Sequence, residues 1–476
     1  MKRLIERKQY MQTLRDLKDQ NIIKVITGVR RCGKSTLLQM FADELLRNGV
    51  VPEQIQFYNF EDLDTLALGD IFQIHTHIKN KLVADRMNYI FLDEIQNVKD
   101  FQRLVDSLFI KKNCDVYITG SNAYLLSGEL ATLLTGRYIE TEVLPFSYIE
   151  YIELITSNSK NSHKNESFWN SNNTLSLSKF KRIRNNIKSK CLKLLGYKTY
   201  TNMQADYLQN SQEEESYANN SSPLRLTKSE SFADFIYYGG IPEIYHLLID
   251  NVNKSDMFVE SVLSTIIEKD VFERNEIRNK AVFQKVLDFI LDSVGSYVSP
   301  NSIANSLKNN DIKIDVKTVM NYLEYLNNAM LLYPVQRYDI KGKGLLQSLN
   351  KFYLSDTSFR RVRLGKSAKQ DMGHLLENAV YLELRRRNRN VYAGKFRNME
   401  IDFVVIDYEG YTSYYQVAWT TITDETLARE LAPLNAIRDS NPKYLLTTDI
   451  DLNPAYNGIR KLNVADWMLS NQKYGK

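Results

Sequence analysis

The chain is poor in the residues that build disulfide frameworks, metal centres and membrane spans. Its 476 residues include only three cysteines and five histidines, and the cysteines lie far apart in the sequence. An odd and scattered set of cysteines forms neither a disulfide framework nor a zinc-binding spacing. No apolar run reaches the roughly 18 residues that a membrane helix needs. The first twenty residues carry charges throughout, unlike a secretory signal. We therefore expect a cytoplasmic protein with no membrane segment.

Charge is nearly balanced outside one segment. The chain has 62 Lys and Arg against 57 Asp and Glu, a formal net charge of +5. Residues 156–222 alone hold ten basic and five acidic residues, which accounts for the whole excess, and 24 of their 67 positions are Asn or Ser. This composition predicts a basic, flexible insertion over 156–227. Within it, residues 180–195 are patterned as a basic helix, which is either solvated or docked on an acidic partner or a nucleic-acid backbone.

The insertion separates parts with different patterns. Residues 1–155 predict an α/β domain with the parallel sheet of a P-loop NTPase, residues 228–350 a helical and winged-helix region, and residues 351–476 a smaller α/β domain. A chain of this length suits about three domains. With 43% hydrophobic residues it can bury their cores. The predicted fold class is α/β and multidomain.

A glycine-rich loop follows the first predicted strand. Residues 22–27 form an apolar, β-branched run, and residues 28–36 read GVRRCGKST before a helical pattern. This matches G-x-x-x-x-G-K-[ST], in which glycines let backbone N–H groups wrap a polyphosphate, the lysine reaches the β and γ oxygens, and the hydroxyl can ligate Mg²⁺. We interpret the cysteine within the loop as a small filler. The predicted nucleotide-binding residues are Gly28, Arg31, Cys32, Gly33, Lys34, Ser35 and Thr36.

Two adjacent carboxylates end the next apolar strand. Residues 89–94 read YIFLDE, about sixty residues after the loop. Asp93 is predicted to bind the nucleotide's Mg²⁺ together with Ser35, and Glu94 is predicted to polarise the attacking water. The adjacent glutamate favours hydrolysis over simple binding, because it supplies a base.

A third strand and a later arginine add two candidates. The strand 116–119 ends in Gly-Ser-Asn, and we expect Asn122, or Ser121 as second choice, to contact the γ-phosphate. The alternative is a polar loop that caps the following helix. Arg137 precedes a strand at 139–143 and is either an arginine finger or half of a surface ion pair.

Several segments together resemble a large prokaryotic family of AAA-type ATPases that continue into a conserved carboxy-terminal domain of unknown function. They are GVRRCGKST, YIFLDEIQ, ITGSNA, LLTGRYIE and LPFSYIEY, with FIYYGGIPE and IEKD further on. The resemblance implies that the nucleotide is ATP, bound with Mg²⁺. It also implies that Arg137 acts in trans as an arginine finger, and therefore that the chain forms homo-oligomers. The insertion departs from the compact family pattern.

Residues 281–346 are patterned as a winged helix. In a DNA-binding version the helix 316–328 would enter the major groove. Only one of its three outward residues is basic, so the alternative is a domain that packs against its neighbours. The region is a candidate contact for DNA or a protein partner. Its candidate residues are Lys317, Asn321 and Glu324 on the helix, with the wing lysines Lys341 and Lys343.

The last stretch resembles a restriction-endonuclease-like core in its order of helices and strands. Such nucleases need a helix carboxylate, an Asp on the second strand and Glu-x-Lys on the third, which together hold Mg²⁺. Glu377 and Asp402 occupy the first two positions, with Glu400 nearby. The third reads Gln416-Val417-Ala418, without the charge and without the lysine. We therefore predict a scaffold that does not cut DNA.

The leading interpretation is an ATPase that binds and hydrolyses Mg-ATP to switch contacts between domains, subunits or a partner. The alternative, from another class, is a nucleotide-gated DNA- or protein-binding module with little hydrolysis. An ATP-regulated nuclease is disfavoured by the residues at positions 416 and 418.

Overall fold

The computed structural model describes residues 4–121, 134, 136–160, 228–250, 252–365, 368–387, 390–450 and 455–470. Asn122 and the insertion from residue 161 onward lie outside these residues. The chain divides into two compact units. The first comprises residues 1–145, 262–280 and 317–333, and the second comprises residues 146–261, 281–316 and 334–476.

The first unit contains a five-stranded parallel sheet. Its strands are β1 (Ile23–Thr27), β2 (Ile55–Asn59), β3 (Asn88–Asp93), β4 (Cys114–Thr119) and β5 (Tyr138–Glu142). They are ordered β2-β3-β4-β1-β5, and every neighbouring pair is parallel. This confirms the predicted α/β class and the parallel sheet. Since the strands are parallel, their carboxyl ends lie along one edge.

Helices connect and cover these strands. They are α1 (Lys8–Leu17), α2 (Lys34–Arg47), α3 (Leu63–Leu66), α4 (Ile71–Asn80) and α5 (Phe101–Phe109). Strands β1 and β3 are buried along their whole length, as expected for parallel strands covered on both faces. Apolar residues of the sheet, α4 and α5 form one core cluster.

Four helical segments follow in the part of the chain that begins at Tyr148. They are α6 (Tyr148–Lys160), α7 (Lys228–Tyr238), α8 (Pro242–Asp250) and α9 (Val252–Thr265). A π-helix, Ile266–Phe272, continues α9. Short π-helical segments are rare and occur often at functional sites. The π-helix belongs to the first unit.

The elements predicted for a winged helix are present as helices and strands. They are α10 (Lys280–Asp292), β6 (Tyr297–Val298), α11 (Pro300–Lys308), α12 (Val316–Asn328), β7 (Leu332–Asp339) and β8 (Gly344–Leu354). The Ser299 hydroxyl accepts a hydrogen bond from the Ser302 N–H at 3.0 Å and caps α11, which explains why this helix starts at a Ser-Pro pair. The winged-helix assignment itself stays a prediction.

A nine-stranded mixed sheet dominates the second unit. Besides β6, β7 and β8 it contains β9 (Asn390–Phe396), β10 (Met399–Ile406), β11 (Thr412–Val417), β12 (Lys443–Thr447), β13 (Ala455–Tyr456) and β14 (Ile459–Asn463). The order is β13-β14-β12-β11-β10-β9-β7-β8-β6. The remaining helices are α13 (Thr357–Leu364), α14 (Ala368–Arg387), α15 (Asp424–Ala436) and α16 (Val464–Leu469).

The sheet of the second unit is distorted where Asp402 lies. The register between β9 and β10 shifts between Ile401 and Val404. The facing Gly394 makes the shift sterically acceptable, because a Cβ there would lie 2.7 Å from the Ile401 Cβ and 2.8 Å from the Val404 Cγ2. Such bulges re-aim side chains.

In the described part of the chain, no helix combines the length and apolar character that crossing a membrane requires.

Candidate active site

The phosphate loop connects β1 to α2 through two glycines with left-handed backbone. Gly28 has φ 147° and Gly33 has φ 105°. A Cβ on Gly28 would lie 2.3 Å from the Val143 carbonyl oxygen, so no larger residue fits without moving the loop. A Cβ on Gly33 would meet nothing within 4 Å. The loop thus combines one tightly packed turn with open space above the start of a 14-residue helix, where N–H groups can bind an anion.

Lys34 is the first residue of α2, and its side chain is buried beneath the loop. Its Nζ donates a hydrogen bond to the Gly28 carbonyl oxygen at 3.0 Å and lies 3.5 Å from the Glu94 Oε1. Burial lowers the pKa of the Lys34 ammonium, but the surrounding charges, Glu94 above all, outweigh burial and raise the pKa overall. The ammonium therefore stays charged at the point where it can neutralise phosphate oxygens.

Asp93 ends β3 and is brought next to Ser35 of α2. The Thr119 hydroxyl donates a hydrogen bond to Asp93 Oδ1 at 2.5 Å. Burial raises the pKa of the Asp93 carboxyl, although the hydroxyls of Thr119 and of Ser35 act to lower it. The sheet order produces this arrangement, because β4 lies between β1 and β3.

Glu94 follows β3 in a left-handed conformation with φ 53°. Non-glycine residues adopt this conformation rarely, and often at functional sites. Its Oε2 accepts hydrogen bonds from the Gln96 Nε2 at 2.5 Å and from the Ser121 Oγ at 3.0 Å. Burial raises the pKa of the Glu94 carboxyl, but Lys34 and Gln96 outweigh burial, so the pKa lies below its usual value. Glu94 is therefore an ionised carboxylate able to accept a proton.

These residues fit a magnesium-bound nucleotide. The Ser35 hydroxyl and the Asp93 carboxylate supply adjacent oxygen donors, which is the ligand chemistry that Mg²⁺ prefers. Lys34 provides a buried cation, and the open space at Gly33 leaves the helix N-terminus accessible. The structure thus brings together Gly28, Gly33, Lys34, Ser35, Asp93 and Glu94, as the sequence predicted.

Thr119 is a site residue that the sequence reasoning missed. It ends β4 fully buried, and its hydroxyl both donates to Asp93 and accepts a hydrogen bond from the Glu94 backbone N–H at 2.9 Å. A hydroxyl residue at the end of the strand beside the acidic one was the available signal. The predicted sensor Asn122 lies outside the described residues, whereas the second choice, Ser121, contacts Glu94.

Arg30 of the phosphate loop pairs with a residue far along the chain. Its Nε lies 2.5 Å from the Asp270 Oδ2, and its Nη2 lies 3.1 Å from the Oδ1. Asp270 is on the π-helix and is fully buried, with 0% of its surface exposed. Burial raises the pKa of the Asp270 carboxyl, which Arg30 partly counteracts. No local sequence pattern connects these two segments, which are 240 residues apart.

The remaining predicted loop residues have different surroundings. Cys32 is fully buried, and burial raises the pKa of its thiol, as suits a small filler. Arg31 adopts φ 66° and is exposed. Ser35 and Thr36 are also exposed at the start of α2, where a nucleotide could reach them.

Arg137 lies at the opposite edge of the sheet. Its carbonyl oxygen accepts a hydrogen bond from the N–H of Ile23, the first residue of β1, at 2.8 Å, whereas the phosphate loop follows the last residue of β1. Its Nη1 lies 2.5 Å from the Asp106 Oδ1, in a pair whose side chains are 46% and 27% exposed, and solvent-exposed pairs contribute little stability. Arg137 is therefore not part of its own chain's site, and its action in trans stays a prediction.

A second polar cluster lies in the carboxy-terminal part of the chain. It contains Glu377 on α14, Glu400 and Asp402 on β10, and Lys351 on β8. Lys351 Nζ lies 2.9 Å from Glu377, 2.5 Å from Glu400 and 3.7 Å from Asp402. Burial raises the pKa of Asp402 to about 8. Burial lowers the pKa of Lys351, but the three carboxylates outweigh it and raise the pKa well above its usual value.

The lysine of this cluster comes from outside the predicted motif. Ala418 removes the lysine of the third strand, but Lys351 delivers an ammonium group from another strand. Sequence reasoning missed it because position 351 stands outside the expected motif. Gln416, the third predicted residue, donates a hydrogen bond through Nε2 to the Glu430 Oε2 at 3.0 Å.

The residues predicted to face outward from the winged-helix region are mostly exposed. Lys317 and Glu324 of α12 are exposed and Asn321 is half-buried, while Lys341 and Lys343 are exposed between β7 and β8. This exposure is compatible both with a surface that contacts nucleic acid and with a surface that contacts only solvent.

Two protein-family models match this chain. One, described as an AAA domain, matches residues 20–152, and the other, described as a domain of unknown function (DUF8612), matches residues 229–370. The first match contains the phosphate loop, Asp93, Glu94 and Thr119, and the second contains Asp270.

Relatives and solved structures extend the comparison. An uncharacterized protein of Haemophilus influenzae is 30% identical over 469 residues, covering 98% of this chain and 99% of that protein. The uncharacterized protein MJ1544 of Methanocaldococcus jannaschii is 29% identical over 391 residues, covering 81% of this chain and 72% of that protein. The Walker-type ATPase PABY2304 of Pyrococcus abyssi matches 76% of this chain and 96% of its own with a TM-score of 0.41 and 13% identity.

Proposed function

Because this chain belongs to the same family as the uncharacterized Haemophilus influenzae protein and contains an AAA domain at residues 20–152, we propose that it binds and hydrolyses Mg-ATP. The hydrolysis cycle would switch the contacts that the rest of the chain makes with a second subunit or a partner.

The observation that carries this proposal is the convergence of five side chains from three elements. Lys34 and Ser35 begin α2, Asp93 ends β3, Glu94 directly follows it, and Thr119 ends β4. Hydrogen bonds and an ion pair connect Lys34, Glu94, Thr119 and Asp93, and the Ser35 hydroxyl acts to lower the pKa of Asp93. A structural ion pair alone would not need two buried carboxylates, a threonine hydroxyl and an open helix N-terminus at the same place.

Each side chain has a distinct part in the proposed reaction. Lys34 and the N–H groups of the loop would neutralise and orient the phosphate oxygens. Ser35 and Asp93 would hold Mg²⁺, which would neutralise negative charge that develops on the phosphates. Glu94 would accept a proton from a water molecule. The oxygen of that water forms a bond to the γ-phosphorus as the bond to the ADP oxygen breaks.

The contact between Arg30 and Asp270 supports a switching role. Arg30 belongs to the loop that would surround the phosphates, and Asp270 belongs to the segment that the DUF8612 family matches. A bidentate pair with one fully buried partner fixes the relative position of the loop and the π-helix. A change in the loop between the ATP and ADP states would therefore be transmitted to the π-helix.

A nucleotide-gated binding module is the second candidate, and the exposure of Lys317, Lys341 and Lys343 favours it. This alternative would bind DNA duplexes in a salt-dependent manner. Binding that persists in Lys34→Ala and disappears in Lys317→Glu, together with background ATP hydrolysis, would support the module over the ATPase.

The test separates ATP binding from ATP hydrolysis. We expect Lys34→Ala to lose ATP binding, and Glu94→Gln to retain binding while its hydrolysis rate falls about 100-fold or more, the usual contribution of a general base. Glu53→Gln is the matched control, because Glu53 is exposed at the opposite end of β2, and it should hydrolyse ATP like the wild type. Wild-type turnover in Glu94→Gln would falsify the assigned mechanism.

A further inference from the structure

The lysine of the carboxy-terminal cluster lies among the carboxylates that would hold Mg²⁺ in an active nuclease of this type. Lys351 is a β8 residue whose side chain is 2% exposed. Its Nζ is within 4 Å of one oxygen from each of Glu377, Glu400 and Asp402. Glu377 comes from α14, and Glu400 and Asp402 come from β10. The Lys351 ammonium from β8 contacts all three carboxylates and is therefore their common partner.

Neighbouring residues donate hydrogen bonds to two of these carboxylates. The Tyr353 hydroxyl donates to Glu377 Oε1 at 2.6 Å, and the Val417 N–H donates to Asp402 Oδ2 at 2.8 Å. The amide of Gln416 bonds to Glu430 and, more weakly, accepts from the Asp402 N–H at 3.4 Å. Tyr353 therefore bonds the same Glu377 oxygen that Lys351 contacts, and the Val417 N–H bonds the Asp402 oxygen that Lys351 does not contact.

The divalent ion implied by the restriction-endonuclease-like resemblance does not fit these residues. A magnesium ion binds carboxylate oxygens at about 2.1 Å, so an ion shared by Glu377 and Glu400 would stand next to the Lys351 ammonium. Here the ammonium itself contacts Glu377 Oε1, Glu400 Oε1 and Asp402 Oδ1, so an ion would compete with it for the same oxygens, and like charges this close repel each other. Among the described residues, no group of three or more His, Cys, Asp and Glu side chains is arranged to hold a metal.

We propose that the Lys351 ammonium is the resident cation of this centre, standing in for the divalent metal around which such carboxylates are otherwise grouped. The wild-type centre then holds no metal ion and does not cleave phosphodiesters. Removing the ammonium while keeping the carboxylates converts the centre into a divalent-cation site.

The experiment measures Mn²⁺ binding to nucleotide-free full-length protein, by electron paramagnetic resonance and by thermal unfolding. We expect Lys351→Met to bind one Mn²⁺ and to gain about 5 °C in melting temperature in its presence. Wild type and Lys351→Met/Asp402→Asn should show neither effect. Lys461→Met is the matched control, because it removes another buried ammonium, paired with Asp449 at 3.5 Å, and should gain no Mn²⁺ site.

Two outcomes would overturn the proposal, namely a folded Lys351→Met that binds no Mn²⁺, or a wild type whose Mn²⁺ binding is lost in Asp402→Asn. Plasmid cleavage that requires Mg²⁺ and is abolished by Asp402→Ala would also overturn it. If Lys351→Met folds only when Mn²⁺ is present, the proposal is supported. If Lys351→Met does not fold at all, the effect of EDTA on the melting temperature of the wild type is the deciding measurement. A melting temperature unchanged by EDTA supports the proposal, and one that EDTA lowers in wild type but not in Asp402→Asn contradicts it.

Discussion

Replacing Asp270 by asparagine tests whether the π-helix is bound to the phosphate loop by charge. The substitution keeps the shape of the side chain and removes only the negative charge that Arg30 contacts at 2.5 and 3.1 Å. Arg30 would keep one partner, Glu61, at 3.2 Å, but Glu61 is half-exposed, and exposed pairs contribute at most about 1 kcal/mol.

The expected loss of stability follows from the burial of the pair. Removing one partner of a buried ion pair costs about 3–5 kcal/mol, because the other charge is left without compensation. The lower end applies here, since burial raises the pKa of Asp270 and asparagine avoids the cost of burying a carboxylate. A loss of about 3 kcal/mol in a unit of roughly 150–250 residues lowers the melting temperature by about 6–12 °C.

Calorimetry should show this shift in the unfolding transition that Mg-ATP stabilises. Glu268→Gln is the control, because Glu268 lies on the same π-helix but is exposed and pairs with Lys280 at 3.3 Å, so it should change little. Arg30→Met/Asp270→Asn should be less destabilised than the sum of its single substitutions. A double variant whose loss equals that sum, or an Asp270→Asn shift no larger than that of Glu268→Gln, would refute the reasoning.

Two further substitutions test the site itself. Thr119→Val should lower the ATP hydrolysis rate about 10- to 100-fold, because it removes the hydroxyl bonded to Asp93 and to the Glu94 N–H. Thr119→Ser keeps that hydroxyl and should retain most activity. Equal rates in Thr119→Val and wild type would exclude a role of the hydroxyl in hydrolysis. Gly28→Ala should abolish ATP binding, because its Cβ would lie 2.3 Å from the Val143 carbonyl oxygen. Gly49→Ala, which also has positive φ but meets no atom within 4 Å, should bind ATP normally, and ATP binding by Gly28→Ala would contradict the steric argument.

The sequence was sufficient to predict those residues of the candidate site that belong to a local pattern. The strand, glycine loop and helix around residues 22–46 are encoded by contiguous residues, so spacing alone predicts Gly28, Gly33, Lys34 and Ser35 together. Asp93 and Glu94 follow from an apolar strand that ends in two acids. The bounds of α12 also agree with the predicted helix 316–328.

Contacts between distant segments could not be predicted in this way. Thr119 becomes a site residue only because β4 lies between β1 and β3, which no local pattern specifies. Asp270 meets Arg30 across 240 residues of chain. Lys351 replaces the motif lysine from a strand that the motif does not include. Each of these depends on tertiary arrangement, for which periodicity and composition carry no signal.

The most direct test of the central claim is steady-state ATP hydrolysis per protomer, in Mg²⁺, across a wide range of protein concentration. The wild-type rate should exceed that of Glu94→Gln and rise with concentration, because Arg137 is at the far edge of its own sheet and would complete a neighbour's site. A wild-type rate equal to that of Glu94→Gln at every concentration would contradict it.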